Sequence, residues 1–245
     1  MAYNRIVSLV PSLTELIIDL GLKDNLVGRT RFCIHPEDQV GDIAILGGTK
    51  SPNIKKIKEA APDIIIANKE ENEKEHIEEL QQQFEVLVTD INTIEDSLIA
   101  FHEIGSKLDV KEEADSLASE VTNLLEERPD EPPLMAAYLI WRNPWMAVGK
   151  RTYINDVMHH WNLHNVFSDK QRYPEIKLNE LAKKRPHVVL LSSEPYPFKD
   201  KHIEEIEEYC PGSEVLVVNG EWFSWYGSRM KSAFKRLNTW RKAIA

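Results

Sequence analysis

The chain has 245 residues, 42% hydrophobic and 29% charged, enough for one large domain or two small ones with a core that needs no covalent staples. Forty acidic residues against thirty basic give a formal charge of −10, which argues against nucleic acid or an anionic membrane as the main partner, since both need a basic footprint. Two cysteines, Cys33 and Cys210, are too few for a disulfide scaffold, and no window of about eighteen uncharged apolar residues exists to span a bilayer.

The first strand is read at residues 6–10, where Ile6, Val7, Leu9 and Val10 precede Pro11. Ser12 then meets Glu15 three residues on, a capping-box spacing that opens a helix through Leu16, Ile17 and Ile18. This opening does not fit a secretory signal, because Pro11, Ser12, Glu15 and Asp19 interrupt the apolar run. The expected location is cytoplasmic if Met1 is the native start, and periplasmic or otherwise extracytoplasmic if a leader was removed.

Further strands are expected at 63–68, 85–89, 134–140, 187–192 and 214–218, with helices at 53–60, 72–83, 178–184 and 202–209. Alternation of this kind implies an α/β fold with mainly parallel sheets. Residues 54–70, IKKIKEAAPDIIIANKE, align with residues 178–194, LNELAKKRPHVVLLSSE. Pro62 falls on Pro186, the run Ile64, Ile65, Ile66 on Val188, Val189, Leu190, and Glu70 on Glu194. A second match, Glu85 to Val88 against Glu214 to Val217, follows in the same order, so the chain reads as two related lobes.

Residues 94–128 lie between the lobes and keep helical spacing with Gly105 as almost their only turn residue. The part from 110 to 127 is expected to form one helix about 27 Å long at 1.5 Å per residue. The expected division is an N-terminal α/β lobe at 1–105, a linking backbone helix at 106–130 and a C-terminal α/β lobe at 131–245, with a ligand cleft between the lobes.

Ligands of open α/β sheets sit beyond the carboxyl ends of the strands. That rule gathers Glu70 in the first lobe, and Arg142, Trp145, Glu194, Tyr196, Trp222, Trp225, Tyr226 and Arg229 in the second, as candidate ligand contacts. Tryptophans clustered on loops line ligand surfaces, or else pack one lobe on the other. Trp145, Trp222, Trp225 and Tyr226 are expected to line one cavity, and Glu70 and Glu194 to face each other. Cys33 and His35 supply thiolate and imidazole for a metal, with thiolate character expected to be enhanced, or else form a buried thiol and a backbone-bonded ring. His160 and His164 are spaced to share a helix face, but no third donor lies nearby in sequence. The basic tail from Ser228 reads as a charged helix face. Phosphate-loop, dinucleotide and hydrolase-elbow patterns are all missing: Gly47-Gly48-Thr49-Lys50 has the wrong order, and neither Gly-x-Gly-x-x-Gly nor Gly-x-Ser-x-Gly occurs.

These residues resemble the helical-backbone metal receptor superfamily, the class III substrate-binding proteins of ABC importers. The resemblance rests on Arg5 to Leu16, Gly47-Gly48-Thr49, Ala61 to Ile65, Trp141 to Trp145, Arg172 to Glu175, and Trp222 to Arg229. It implies two lobes bridged by one long helix, little hinge motion, and a corrinoid, siderophore or related metal chelate as cargo. It further implies an ABC permease as partner, no catalysis and no required cofactor. Docking carboxylates would be Glu73 or Glu75 in the first lobe and, with Ser224 at the second position, Glu221. Thr49, Asn68 and Val88 stand where cobalamin receptors carry aromatic residues. Two other readings remain at this point. One is a cytoplasmic enzyme or metallochaperone using Cys33, His35, Glu70 and Glu194; the other is a structural interaction protein using the aromatics for protein contacts.

Overall fold

The computed structural model describes residues 3–244 and divides into two compact units. One holds the chain up to Ile91 together with Glu95–Thr122 and Tyr226–Met230; the other holds Asn92–Ile94, Asn123–Trp225 and the chain from Lys231.

The first unit runs β1 (Ile6–Ser8), α1 (Pro11–Asp19), β2 (Leu26–Arg29), α2 (Ile54–Ala60), β3 (Ile64–Asn68), α3 (Lys74–Gln81) and β4 (Glu85–Thr89). Its strands form a wholly parallel sheet in the order β2-β1-β3-β4. Ile64, Ile65 and Ile66 are fully buried, as a parallel strand covered on both faces requires. The capping box expected at Ser12 does not form. Val10 is the N-cap without a side-chain bond, Pro11 opens the helix, and Ser12 lies inside it. Proline brings its φ preset for the first helical position, so the helix starts two residues earlier than a Ser12 cap would place it. Glu15 is thereby left to pair with Arg229 instead of reaching back.

Two helices follow, α4 (Ile94–Lys107) and α5 (Lys111–Glu126). The break falls at Asp109, which takes the left-handed conformation at φ 63°, and not at Gly105. Gly105 serves close packing: a Cβ there would collide with Cβ of Ala114 on α5. His102 Nδ1 and Asp115 Oδ1, 2.7 Å apart, tie the same two helices. The sixteen residues of α5 span about 24 Å. Those through Thr122 belong to the first unit and the rest to the second.

The second unit contains β5 (Leu134–Trp141), β6 (Trp145–Ala147), α6 (Tyr153–His160), β7 (Leu163–Asn165), β8 (Glu175–Ile176), α7 (Leu178–Lys184), β9 (Val188–Ser192), α8 (Asp200–Tyr209), β10 (Glu214–Val218), α9 (Glu221–Ser224) and, from Lys231 onward, α10 (Arg229–Ala243). Its sheet has the order β10-β9-β5-β6-β8, with β7 also paired to β5. β5, β7, β9 and β10 are parallel, whereas β6 and β8 add antiparallel neighbours. His160 and His164 do not share a helix. α6 stops at His160 because Asn162 adopts the left-handed conformation at φ 54°, and His164 lies on β7.

The basic tail is more than a solvated face. Phe234, Leu237 and Arg241 of α10 are fully buried. Arg241 Nε donates to the Trp161 carbonyl at 2.9 Å, and its Nη2 donates to the Pro132 carbonyl. Among the described residues, no helix is long and apolar enough to cross a membrane.

Candidate functional site

At the carboxyl end of β3 the chain turns through Asn68–Asn72 under the control of two buried asparagines. Asn68 Oδ1 accepts from the backbone N–H of Glu70 at 2.8 Å, and Asn72 Oδ1 accepts from that of Asn68 at 2.9 Å. Asn72 Nδ2 donates to the carbonyls of Leu9 and Thr49, both at 3.1 Å, which binds the turn to the end of β1. Half-buried Glu70 is therefore carried on a fixed backbone, and Lys50 Nζ donates to its carbonyl at 2.6 Å. Asn68 and Thr49 are themselves buried, as packing and hydrogen-bonding residues.

The loop after β2 holds Cys33 and His35. Cys33 is fully buried. Its Sγ receives a hydrogen bond from Thr14 Oγ1 at 3.0 Å and lies 3.2 Å from Thr30 Oγ1. Burial pushes the thiol up from its ordinary value, as the buried-thiol alternative has it and not as metal contact would. Among the described residues, no group of three or more His, Cys, Asp or Glu side chains is arranged to hold a metal ion.

The same loop exposes three large apolar residues outside the candidate contacts named from sequence. Phe32, Ile34 and Ile45 are about half exposed, at 53%, 50% and 47%. Ile45 lines a cavity of about 710 Å³ together with Arg31, Gly47 and Ser51. Gly47 makes the tight turn there: φ is 115°, and a Cβ would stand 2.6 Å from the Asn53 nitrogen. Three large apolar residues in one loop rich in charge and next to Gly47-Gly48 are the sequence signal for this surface.

Arg229, a candidate ligand contact, forms a two-pronged ion pair with Glu15 inside the first unit. Nε lies 2.9 Å from Oε2 and Nη2 lies 2.7 Å from Oε1. The two side chains are only 18% and 10% exposed. Burial raises the Glu15 carboxyl above the usual range, opposed by the Arg229 charge. Tyr226 is buried in the same unit, so it and Trp145 belong to different units.

In the second unit the loops after β5 and β9 build one aromatic cluster. Trp145 stacks on Phe198 with centroids 5.9 Å apart and rings 7° from parallel. Tyr196 meets Phe198 at 4.8 Å and Trp141 at 5.4 Å, and His202 packs edge-on against Trp145 at 6.5 Å. Arg142 lies over the Trp145 ring at 5.4 Å while Nε and Nη2 donate to the two Glu205 oxygens, each at 2.9 Å. Its guanidinium thus fixes the ring. Trp141 remains 39% exposed as the outer wall.

Glu194 and α9 form a second arrangement. Glu194 Oε1 accepts from Trp225 Nε1 at 2.9 Å and from Ser224 Oγ at 3.2 Å. Phe223 points inward onto Tyr138, centroids 5.1 Å apart, leaving Trp222 and Trp225 half-buried. Trp145 and Trp225 therefore have separate partners. A half-buried carboxylate, stacked rings and fixed guanidinium groups suit noncovalent recognition of a large, flat or partly charged ligand.

Comparison with known proteins gives the same fold. A vitamin B12-binding protein of Vibrio cholerae is 21% identical over 249 residues, covering 98% of this chain and 89% of that protein. The solved periplasmic vitamin B12-binding protein of Vibrio cholerae aligns at a TM-score of 0.84 and 20% identity, covering 99% of this chain and 98% of that one. A periplasmic heme-binding protein from Roseiflexus sp. RS-1 aligns at 0.81 and 16% identity, covering 98% of each chain. The family model described as periplasmic binding protein matches residues 6–222. Over nearly its whole length, then, this chain belongs to the periplasmic binding protein family.

Proposed function

We propose that this protein captures a metal chelate, a corrinoid, heme-like tetrapyrrole or siderophore, and delivers it to an ABC-type importer. The observation that carries the reading is the aromatic cluster of Trp141, Trp145, Tyr196 and Phe198 at the carboxyl ends of β5 and β9, a surface built for stacking. The chelate is cargo and not a cofactor. Ligand contacts in the second unit are assigned to Trp145, Tyr196, Trp222 and Trp225, with Arg142 orienting Trp145. Glu194 holds the Trp225 indole. In the first unit Glu70, Phe32, Ile34 and Ile45 are assigned to the ligand. Arg229 supports α1 through the Glu15 pair, and Tyr226 is buried in the first unit.

The buried Cys33 thiol favours this binding role over a metallochaperone that hands metal between open thiolates. His35 is left as the one candidate of that pair for an axial contact. For the permease, the exposed Glu73 at the start of α3 and the half-buried Glu221 of α9 are the proposed docking carboxylates. Ser224 is engaged with Glu194.

A panel of cobalamin, ferric heme and ferric siderophores tests the reading by tryptophan fluorescence and thermal unfolding. A true ligand quenches the fluorescence and raises Tm by mass action. No change across the panel removes these ligand classes.

A further inference from the structure

Residues 30–45 leave the end of β2 and return to it, so the loop that carries Phe32 and Ile34 has a closed neck. The Arg29 N–H donates to the Ala44 carbonyl at 2.9 Å, the Leu46 N–H to that of Arg29 at 2.8 Å, and the Arg31 N–H to that of Gly47 at 2.9 Å. A compact loop of about sixteen residues with joined ends is packed by its own side chains. Here Cys33, Val40 and Ile43 are buried. Phe32 and Ile34, on either side of Cys33, stay half exposed.

The Arg29 side chain is buried and bonds to this loop at three carbonyls. Nε donates to that of Val40 at 2.8 Å, and Nη1 donates to those of Cys33 at 3.0 Å and Thr30 at 3.3 Å. One guanidinium therefore joins the outgoing limb, at Thr30 and Cys33, to the returning limb, at Val40. Thr30 fastens the same corner: its Oγ1 accepts from the Phe32 N–H and its carbonyl from the Cys33 N–H, both at 3.2 Å. A buried guanidinium is costly unless its donors are engaged, and buried carbonyls are costly unless they accept; each satisfies the other here. The planar fork reaches both limbs at once, whereas an ammonium has its donors on a single nitrogen. Large apolar side chains gain by leaving water. Phe32 and Ile34 stay outside because Cys33 between them is anchored, by its carbonyl to Arg29 and by its Sγ to Thr14.

We propose that Arg29 is a positioning residue whose guanidinium holds Phe32 and Ile34 out of the fold as a preformed apolar contact for the cargo. The assignment rests on the binding-protein reading above. It makes the loop ordered before the cargo arrives, so that binding does not have to order it.

The test compares wild type, Arg29→Gln and Arg29→Lys in the full chain, each well below its own Tm. Limited digestion reads the loop, with trypsin cutting after the exposed Arg31 and a glutamyl endopeptidase after the exposed Glu37. Wild type is expected to resist at both sites. Both variants are expected to be cut there at least tenfold faster, with other sites cut at the wild-type rate. Loop cleavage within twofold of wild type in either variant overturns the fork. Equal acceleration at every site, the mark of a plain loss of stability, overturns it too.

Binding reads the consequence, with cobalamin and ferric heme as probes. Phe32→Ala is expected to weaken a probe that binds wild type at least fivefold, and to change nothing in the Arg29→Gln background, where the ring is already misplaced. An equal loss in both backgrounds, or none in wild type, overturns the positioning role. If neither probe binds wild type, the chelate reading falls for those two ligands and digestion alone decides the role of Arg29. Should the variants fail to fold, hydrogen exchange on wild type decides. The Phe32, Cys33 and Val40 amides are expected to be protected at least a hundredfold, and exchange at the rate of an open loop overturns the proposal.

Discussion

α2 and β3 occupy Ile54–Ala60 and Ile64–Asn68, and α7 and β9 occupy Leu178–Lys184 and Val188–Ser192, position for position 124 residues later. Even the helix ends agree, with Ala61 at φ 42° and Arg185 at φ 49° as left-handed C-caps ahead of Pro62 and Pro186. Beyond the strands the two diverge. The first unit continues into a turn bound by Asn68 and Asn72, and the second into the aromatic stretch through Tyr196 and Phe198. The repeated part is dictated by burial and proline stereochemistry, which tolerate few solutions. The strand-end loops carry no such constraint and can acquire different chemistry.

Each unit also holds one two-pronged Arg–Glu pair, and these should differ most on mutation. Glu15→Gln breaks a pair buried around 10–18% exposure and strands Arg229, at an expected cost of about 3–5 kcal/mol in urea unfolding. A cost below about 1 kcal/mol would show that water reaches the pair. Ile66→Ala and Leu190→Ala, at matching fully buried strand positions, should each cost about 2–5 kcal/mol. Unequal values would mean that the two cores relax differently around the same cavity.

Asn72→Ala removes three hydrogen bonds from the first unit's turn and should cost about 1–3 kcal/mol. If Glu70 contacts ligand, the same variant also weakens binding, which titration of the chosen chelate reads directly. Cys33 supplies a pH test. Its folded pKa lies above the unfolded value, so its contribution to stability is complete below the unfolded thiol pKa and is lost as pH rises toward the folded one. Stability should fall in mildly alkaline solution by up to about 1.4 kcal/mol per pH unit, and Cys33→Ala should remove that slope. Equal alkaline slopes in both proteins would show that Cys33 ionises without penalty. Smallest of all, Glu205→Gln in the more open Arg142 pair should cost about 0–1 kcal/mol, while loosening Trp145 enough to alter its fluorescence.

By itself the sequence determined the α/β alternation, the repeat and the family resemblance. These rest on local rules: proline ends a helix, a β-branched run makes a buried strand, and period 3.6 makes a helix. Strands 85–89 and 214–218 and helix 178–184 were legible to the residue. The short strands Trp145–Ala147, Leu163–Asn165 and Glu175–Ile176 were not, because two or three residues hold no periodicity and pair only with what the fold brings beside them. The strand-end loops were legible as a candidate region, but not the partners of each side chain there. Tertiary structure alone decided that Arg229 meets Glu15, 214 residues away in sequence, that Cys33 is sealed between Thr14 and Thr30, and that Phe32, Ile34 and Ile45 face solvent. Side-chain chemistry states what a group can bond; which groups lie within reach is settled only when distant segments pack.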